Sequence, residues 1–128
     1  MNARTVILSS LFALAAAPAF AHHSAAMFDA DKEIVLNGTV REFQYTNPHS
    51  WIQVVVPGAE GKSTEWSIEA AAPIVLLRSG IKKNAFQPGE KVSVRAHPMK
   101  DGSAGGSFIE AKKEDGSVIS PRGPGVTN

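Results

Sequence analysis

Residues 71–80 interrupt an otherwise β-type sequence, and this single change of period restricts the possible folds. Pro73 suits the first turn of a short helix, and Gly80 suits the position just beyond its end. Three strand patterns precede this segment and two follow it. Three strands, a helix and two strands is the order of the five-stranded Greek-key barrel called the OB-fold. The sequence therefore predicts an all-β, OB-like barrel with one short helix between strands 3 and 4; a small β-sandwich and another partly open barrel are the alternatives.

The strand patterns are rich in β-branched and aromatic residues and alternate between apolar and polar positions. They cover residues 33–46, 51–56, 64–70, 91–97 and a segment from residue 107, with a short return at 118–119. In the third pattern Trp66 and Ile68 alternate with polar side chains, so both are expected in the core. The helix is expected to turn Ile74, Leu77 and Ile81 toward the same core.

Asn37 and Gly38 interrupt the first strand pattern. Asn-Gly favours a type I′ hairpin turn, which would divide the pattern into two strands. A glycine also allows sharp coiling of one long strand, as a small barrel requires. The run before Asn37 is short for a hairpin arm, which favours the single coiled strand. A second glycine-rich stretch, residues 98–106, is expected to be a mobile loop between strands 4 and 5.

The first 21 residues have the three parts of a secretory signal. Arg4 supplies the positive start, residues 6–17 are mostly apolar, and residues 19–21 form an A-x-A cleavage site. An uncleaved membrane anchor is the alternative, but the apolar run is shorter than the roughly 20 residues that span a bilayer. We therefore expect cleavage after residue 21, a periplasmic protein and no membrane span in the mature chain.

The rest of the chain predicts one domain. Residues 22–32 form an N-terminal arm, residues 33–120 form the barrel, and the Pro- and Gly-rich residues 121–128 form a disordered tail. The chain has no cysteine, so disulfides and thiolate chemistry are excluded. The barrel must therefore be stabilised by its apolar core.

The charge balance argues against a nucleic-acid partner. The whole chain has 13 Lys and Arg against 12 Asp and Glu, and loss of Arg4 with the signal leaves the mature chain close to neutral. Nucleic-acid binding domains carry a basic surface because they neutralise phosphates. A metal ion or a small ligand is the more plausible partner class, and the sequence does not identify a protein partner.

Two adjacent histidines, His22 and His23, would begin the mature chain. The α-amine and the Nδ1 atom of His22 can chelate one metal, because an α-amine loses its proton more easily than a lysine does. Amine and imidazole nitrogens favour Cu(II), with Ni(II) and Zn(II) behind. His49, on the Asn-Pro turn, is the expected third ligand, and His97 is a second candidate. The alternative is that no physiological metal binds and these histidines only end or cap local structure.

Three carboxylates, Glu42, Glu65 and Glu69, fall on or near strand faces. Two of them on one face could form an acid–base pair, but such a row is more often the solvated face of a sheet. The sequence contains no hydrolase, P-loop, Rossmann or zinc-protease motif. We therefore expect no enzyme; a copper oxidant with an N-terminal histidine is the enzymatic alternative.

Trp51 directly follows the Asn-Pro turn and is the aromatic residue expected at the surface. In a metal protein it would shield the site. In the alternative function, a non-catalytic OB-like module for a ligand or a protein, Trp51 and the loop containing His49 would form the binding surface. In this alternative the protein binds no copper, and no other cofactor is expected.

These residues resemble a family of small exported proteins from Gram-negative bacteria, domain-of-unknown-function family 6152. The matching residues are His22, His23, Ser24, Ala26, Phe28 and Asp29, then Gly38, Thr39, Val40 and Phe43, then Thr46, Asn47, Pro48, His49, Ser50 and Trp51. The resemblance covers nearly the whole mature chain. It implies an exported single domain in which the three histidines of the pattern act together, and it implies neither a substrate nor a metal.

Overall fold

A computed structural model of the chain describes residues 25–121. The expected signal peptide, the histidines His22 and His23, and residues 122–128 of the expected tail lie outside this range. The described elements are β1 (Ile34–Gln44), β2 (Ser50–Pro57), β3 (Ser63–Ala70), α1 (Pro73–Arg78), β4 (Lys91–Pro98), β5 (Gly105–Lys113) and β6 (Val118–Ile119), with a 3-10 turn at Ala59–Gly61.

Five of these strands close into a barrel, which confirms the all-β, OB-like prediction. Antiparallel pairing joins β3 to β2, β2 to β1, β1 to β4 and β4 to β5. A short parallel pairing between β3 and β5 then closes the ring. The helix α1 lies between β3 and β4 in the chain, and the return strand β6 extends the sheet beside β5. The Greek-key order therefore follows from pairing between strands that are distant in sequence.

Gly38 lies where β1 changes partner, from β4 along its first half to β2 along its second. A Cβ atom at this position would clash with the carbonyl oxygen of Val55 and lie 2.8 Å from Cγ1 of Val54. The two neighbouring strands can approach here only because glycine has no side chain. Strand β1 is continuous through Asn37, so the single coiled strand is confirmed and the hairpin interpretation was wrong.

The core orientation of α1 differs from the prediction. Leu76 is buried, whereas Ile74 and Leu77 are 54 % and 52 % exposed. The cause is the helix end: the N–H of Ile81 donates to the Leu76 carbonyl at 2.8 Å, and Gly80 reverses the chain at a φ of 81°. In this Schellman arrangement the residue after the glycine packs on the third residue from the helix end, which is Leu76. Ile81 is buried as predicted.

Replacing Leu76 by alanine is expected to lower the free energy of unfolding by about 2–3 kcal/mol, because a buried leucine side chain leaves a cavity. Leu77→Ala is the matched control, since it removes the same atoms from an exposed position and is expected to change stability by less than about 0.5 kcal/mol. Urea unfolding measures both variants. Equal losses in the two variants would contradict this orientation of α1.

The glycine-rich stretch is only partly a loop. Gly105 and Gly106 belong to β5 and pair with Ser67 and Ile68 of β3. A Cβ at Gly106 would lie 2.8 Å from the carbonyl oxygen of His97. These glycines therefore permit the close strand approach that closes the barrel, and the prediction of a mobile loop through residue 106 was wrong at its end.

Candidate metal centre

His49 is the last residue of the loop that joins β1 to β2. The hydroxyl of Thr46 donates to the carbonyl oxygen of His49 at 3.0 Å and so closes the loop on itself. One residue further, the N–H of Ser50 donates to the carbonyl oxygen of Ala71 at 3.2 Å. The backbone of His49 is therefore held on both sides, by its own loop and by the chain just after β3.

The imidazole of His49 is oriented by Glu69. Its Nδ1 atom lies 2.8 Å from Oε1 of Glu69, whose side chain is only 10 % exposed. Because a carboxylate only accepts hydrogen bonds, the proton of the neutral ring lies on Nδ1, and Nε2 keeps its lone pair. About a third of the His49 side chain, 33 %, stays exposed. The pair thus presents one imidazole in a defined tautomer.

Glu69 is buried although it lies on the outer face of the barrel. Its neighbours in register are Trp51 on β2 and Ser107 on β5. Beside it is a cleft of about 370 Å³ whose lining includes Ala25, Phe28, His49, Glu69 and Ser107. The residues before β1 therefore lie against the same cleft as the His49–Glu69 pair.

The described part of the N-terminal arm is fixed to the end of β4. The N–H of Asp29 donates to the carbonyl of Pro98, and the N–H of Lys100 donates to the carbonyl of Met27, both at 2.9 Å. Between these bonds, Phe28 is buried against the barrel. The described part of the arm therefore has a fixed position on the barrel, and its first residues lie at the cleft that contains His49.

Two further contacts lie at the end of the arm that joins the barrel. An ion pair of 3.0 Å joins Lys32 to Asp29, and the hydrogen bond within it holds the pKa of the Asp29 carboxyl below its ordinary value. The Nδ1 atom of His97 lies 2.8 Å from the carbonyl oxygen of Lys32, so the ring donates there. His97, the second candidate ligand, thus contacts the arm where it joins β1.

The three outer carboxylates have separate partners. Glu65 forms an ion pair with Arg41, Glu42 accepts a hydrogen bond of 3.1 Å from Gln44, and Glu69 contacts His49. Within residues 25–121, no group of three or more His, Asp or Glu side chains has an arrangement that could hold a metal ion.

Sequence reasoning placed Glu69 on the outer face but missed its role as the partner of His49. The pairing register of β2 and β3 explains why these two side chains meet. Ser50 pairs with Ala70, so the residue before Ser50 lies diagonally across from Glu69, within reach of a long side chain. Trp51 pairs directly with Glu69 and is half-buried, while Trp66 packs against the core as predicted.

Comparison with known proteins identifies a family for this chain but no individual relative. No match to the chain was found among curated proteins or among solved structures. In the part of the chain that the structure describes, no helix has the length and apolar character needed to cross a membrane. The model of a family of unknown function, DUF6152, matches residues 10–109, more than three quarters of the chain. This chain therefore belongs to that family of unknown function.

Proposed function

We propose that this protein is an exported, non-catalytic metal-binding protein of the periplasm, with His22, His23 and His49 as ligands and copper as the favoured metal. The observation that carries the proposal is the His49–Glu69 pair at 2.8 Å. A buried carboxylate behind a histidine is the usual outer partner of a metal-binding imidazole, because it fixes the tautomer and raises the basicity of the ligand. The free Nε2 atom of His49 is then the ligating nitrogen.

The course of the arm supports a shared site. Ala25 lines the cleft that also contains His49. His23 and His22 precede Ala25 by two and three residues, and three extended residues span up to about 10 Å. We therefore infer that the imidazoles and the α-amine of a chain that begins at His22 bind the same metal as Nε2 of His49. Nitrogen ligands of these two kinds favour Cu(II) among divalent metals of the first row.

Export and the lack of catalysis are parts of the same proposal. Export rests on the charged start, apolar stretch and A-x-A site of residues 1–21. Binding rather than catalysis is proposed because Glu65 and Glu42 are engaged by Arg41 and Gln44. No two of Glu42, Glu65 and Glu69 then act as an acid–base pair.

A non-catalytic ligand- or protein-binding module is the second candidate function. The position of Trp51 favours it, since this half-buried aromatic side chain lies on β2 directly after the loop that carries His49. OB-folds commonly bind ligands with this loop and the adjoining strands. In that case the ligand would contact Trp51, and removal of His49 would leave metal affinity unchanged.

Competition titration with Cu(II) on the mature protein separates the two functions. His49→Ala is expected to weaken binding by roughly 10- to 100-fold, and Glu69→Gln by roughly tenfold, the usual cost of losing an outer carboxylate partner. His97→Asn is the matched control, because its amide can still donate to Lys32 while one imidazole is removed. Equal Cu(II) affinity in all four proteins, each shown to be folded by circular dichroism, would contradict the metal site.

A further inference from the structure

The exposed surface of α1 is apolar. Ile74, Val75 and Leu77 are strongly exposed, because the helix end buries only Leu76. Val118 on β6 is exposed too, and it lines a cleft of about 300 Å³ together with the residues that directly follow α1. Four of the six large apolar side chains that are strongly exposed within residues 25–121 therefore lie at this end of the barrel. We call this set the α1 surface.

The chain segment that contains α1 carries only positive charges. The sequence has no Asp or Glu between Ala70 and Gly89, whereas it has Arg78, Lys82 and Lys83. All three cations are exposed, and none of them is in an ion pair with another described residue. Elsewhere within residues 25–121, Arg41, Arg95 and Lys113 are paired with carboxylates, whereas Lys62, Lys91, Lys100 and Lys112 have no such ion pair. This part of an almost neutral protein is therefore locally basic as well as apolar.

We propose that the α1 surface docks the protein on an anionic phospholipid bilayer. Aliphatic side chains flanked by lysine and arginine suit such a surface, because the apolar groups enter the boundary of the acyl chains while the cations bind the phosphates. The partner is identified by charge complementarity: three cations clustered beside exposed aliphatic side chains complement a layer of anionic headgroups. This binding is peripheral and involves no spanning segment.

A protein partner fits these residues less well. Protein interfaces are enriched in aromatic residues and methionine, and they are depleted in lysine. The α1 surface has no aromatic side chain and no methionine, and two of the three cations beside it are lysines. The composition thus favours a lipid surface, and it does so independently of any metal at His49.

Vesicle co-sedimentation of the mature protein, without added metal, tests this proposal. Vesicles of phosphatidylcholine containing a third of phosphatidylglycerol are expected to bind the protein at least about tenfold more tightly than vesicles of phosphatidylcholine alone, and added salt is expected to weaken this binding. The double variant Lys82→Gln, Lys83→Gln is expected to lose roughly tenfold in affinity and most of the salt dependence. Ile74→Ser with Leu77→Ser is expected to lose a similar factor at every salt concentration.

Val35→Ser is the matched control, because Val35 is the most exposed large aliphatic side chain on the barrel wall, outside the α1 surface. It is expected to bind vesicles as the wild type does. Three results would overturn the proposal: no binding to anionic vesicles, equal binding to neutral vesicles, or variants that bind as tightly as the wild type. A dimer in sedimentation equilibrium that Leu77→Ser dissociates, without vesicle binding, would assign the surface to a second copy of the chain instead.

Discussion

Acetylation of the α-amine of a chain that begins at His22 is expected to weaken Cu(II) binding by roughly 100-fold, since tethered ligands of one site gain affinity from their high effective concentration. An acetylated nitrogen is a non-basic amide, which binds Cu(II) only if it loses its N–H proton. The chelate ring between this nitrogen and Nδ1 of His22 is then lost, while all three imidazoles remain. The low pKa of an α-amine allows selective acetylation at mildly acidic pH, at which lysines stay protonated.

Acetylation is preferable to an added residue. One or two extra residues at the N-terminus would make a histidine the third residue of the chain. A histidine at that position forms a new copper chelate together with the free amine and the backbone amides. The control is His49→Ala with a free amine, which tests the barrel ligand in the same titration. Unchanged Cu(II) affinity after complete acetylation, verified by mass spectrometry, would contradict the amine ligand.

The largest effect on stability is expected at Gly38. Gly38→Val is expected to cost at least about 4 kcal/mol of unfolding free energy, which is most of the stability of a small domain. Its Cβ would meet the backbone of Val55, and backbone in a paired strand cannot move aside without breaking the ladder. Gly38→Ala introduces the same first atom and is expected to cost about 2–3 kcal/mol.

Asn37→Ala is the matched control for Gly38, because Asn37 is the exposed neighbour on the same strand. Its stability is expected to stay within about 0.5 kcal/mol of the wild type. Urea unfolding measures the free energy of unfolding of the three variants and ranks them by stability. A Gly38→Ala protein as stable as the wild type would show that β1 and β2 approach less closely here than the structure indicates.

The order of strands and helix was predictable because each element has a local signature. Alternation identified β3, and the change to a helical period located α1 between β3 and β4. The glycine at position 38 favoured one coiled strand over a hairpin, given the short run before it. These features depend on residues that are close in sequence, so the barrel class could be predicted from the sequence alone.

What sequence reasoning missed depends on contacts between distant residues. Leu76 rather than Leu77 enters the core because the turn at Gly80 returns Ile81 beneath it. The pairing of Glu69 with His49 depends on the register of β2 against β3, and a shift by one residue would turn Glu69 to the other face. The start of β5 at Gly105 depends on parallel pairing with β3, which no local pattern reports.

The most direct test of the central claim, a metal site shared by the N-terminus and His49, is paramagnetic broadening in the nuclear magnetic resonance spectrum of the mature protein. One equivalent of Cu(II) is expected to broaden the amide signals of Ala25, His49 and Glu69, which lie at one cleft. The signal of Glu60, in the turn at the far end of β2 and about 25 Å away along that strand, is expected to stay sharp. Broadening confined to the N-terminal residues, with the signals of His49 and Glu69 unchanged, would contradict a shared site.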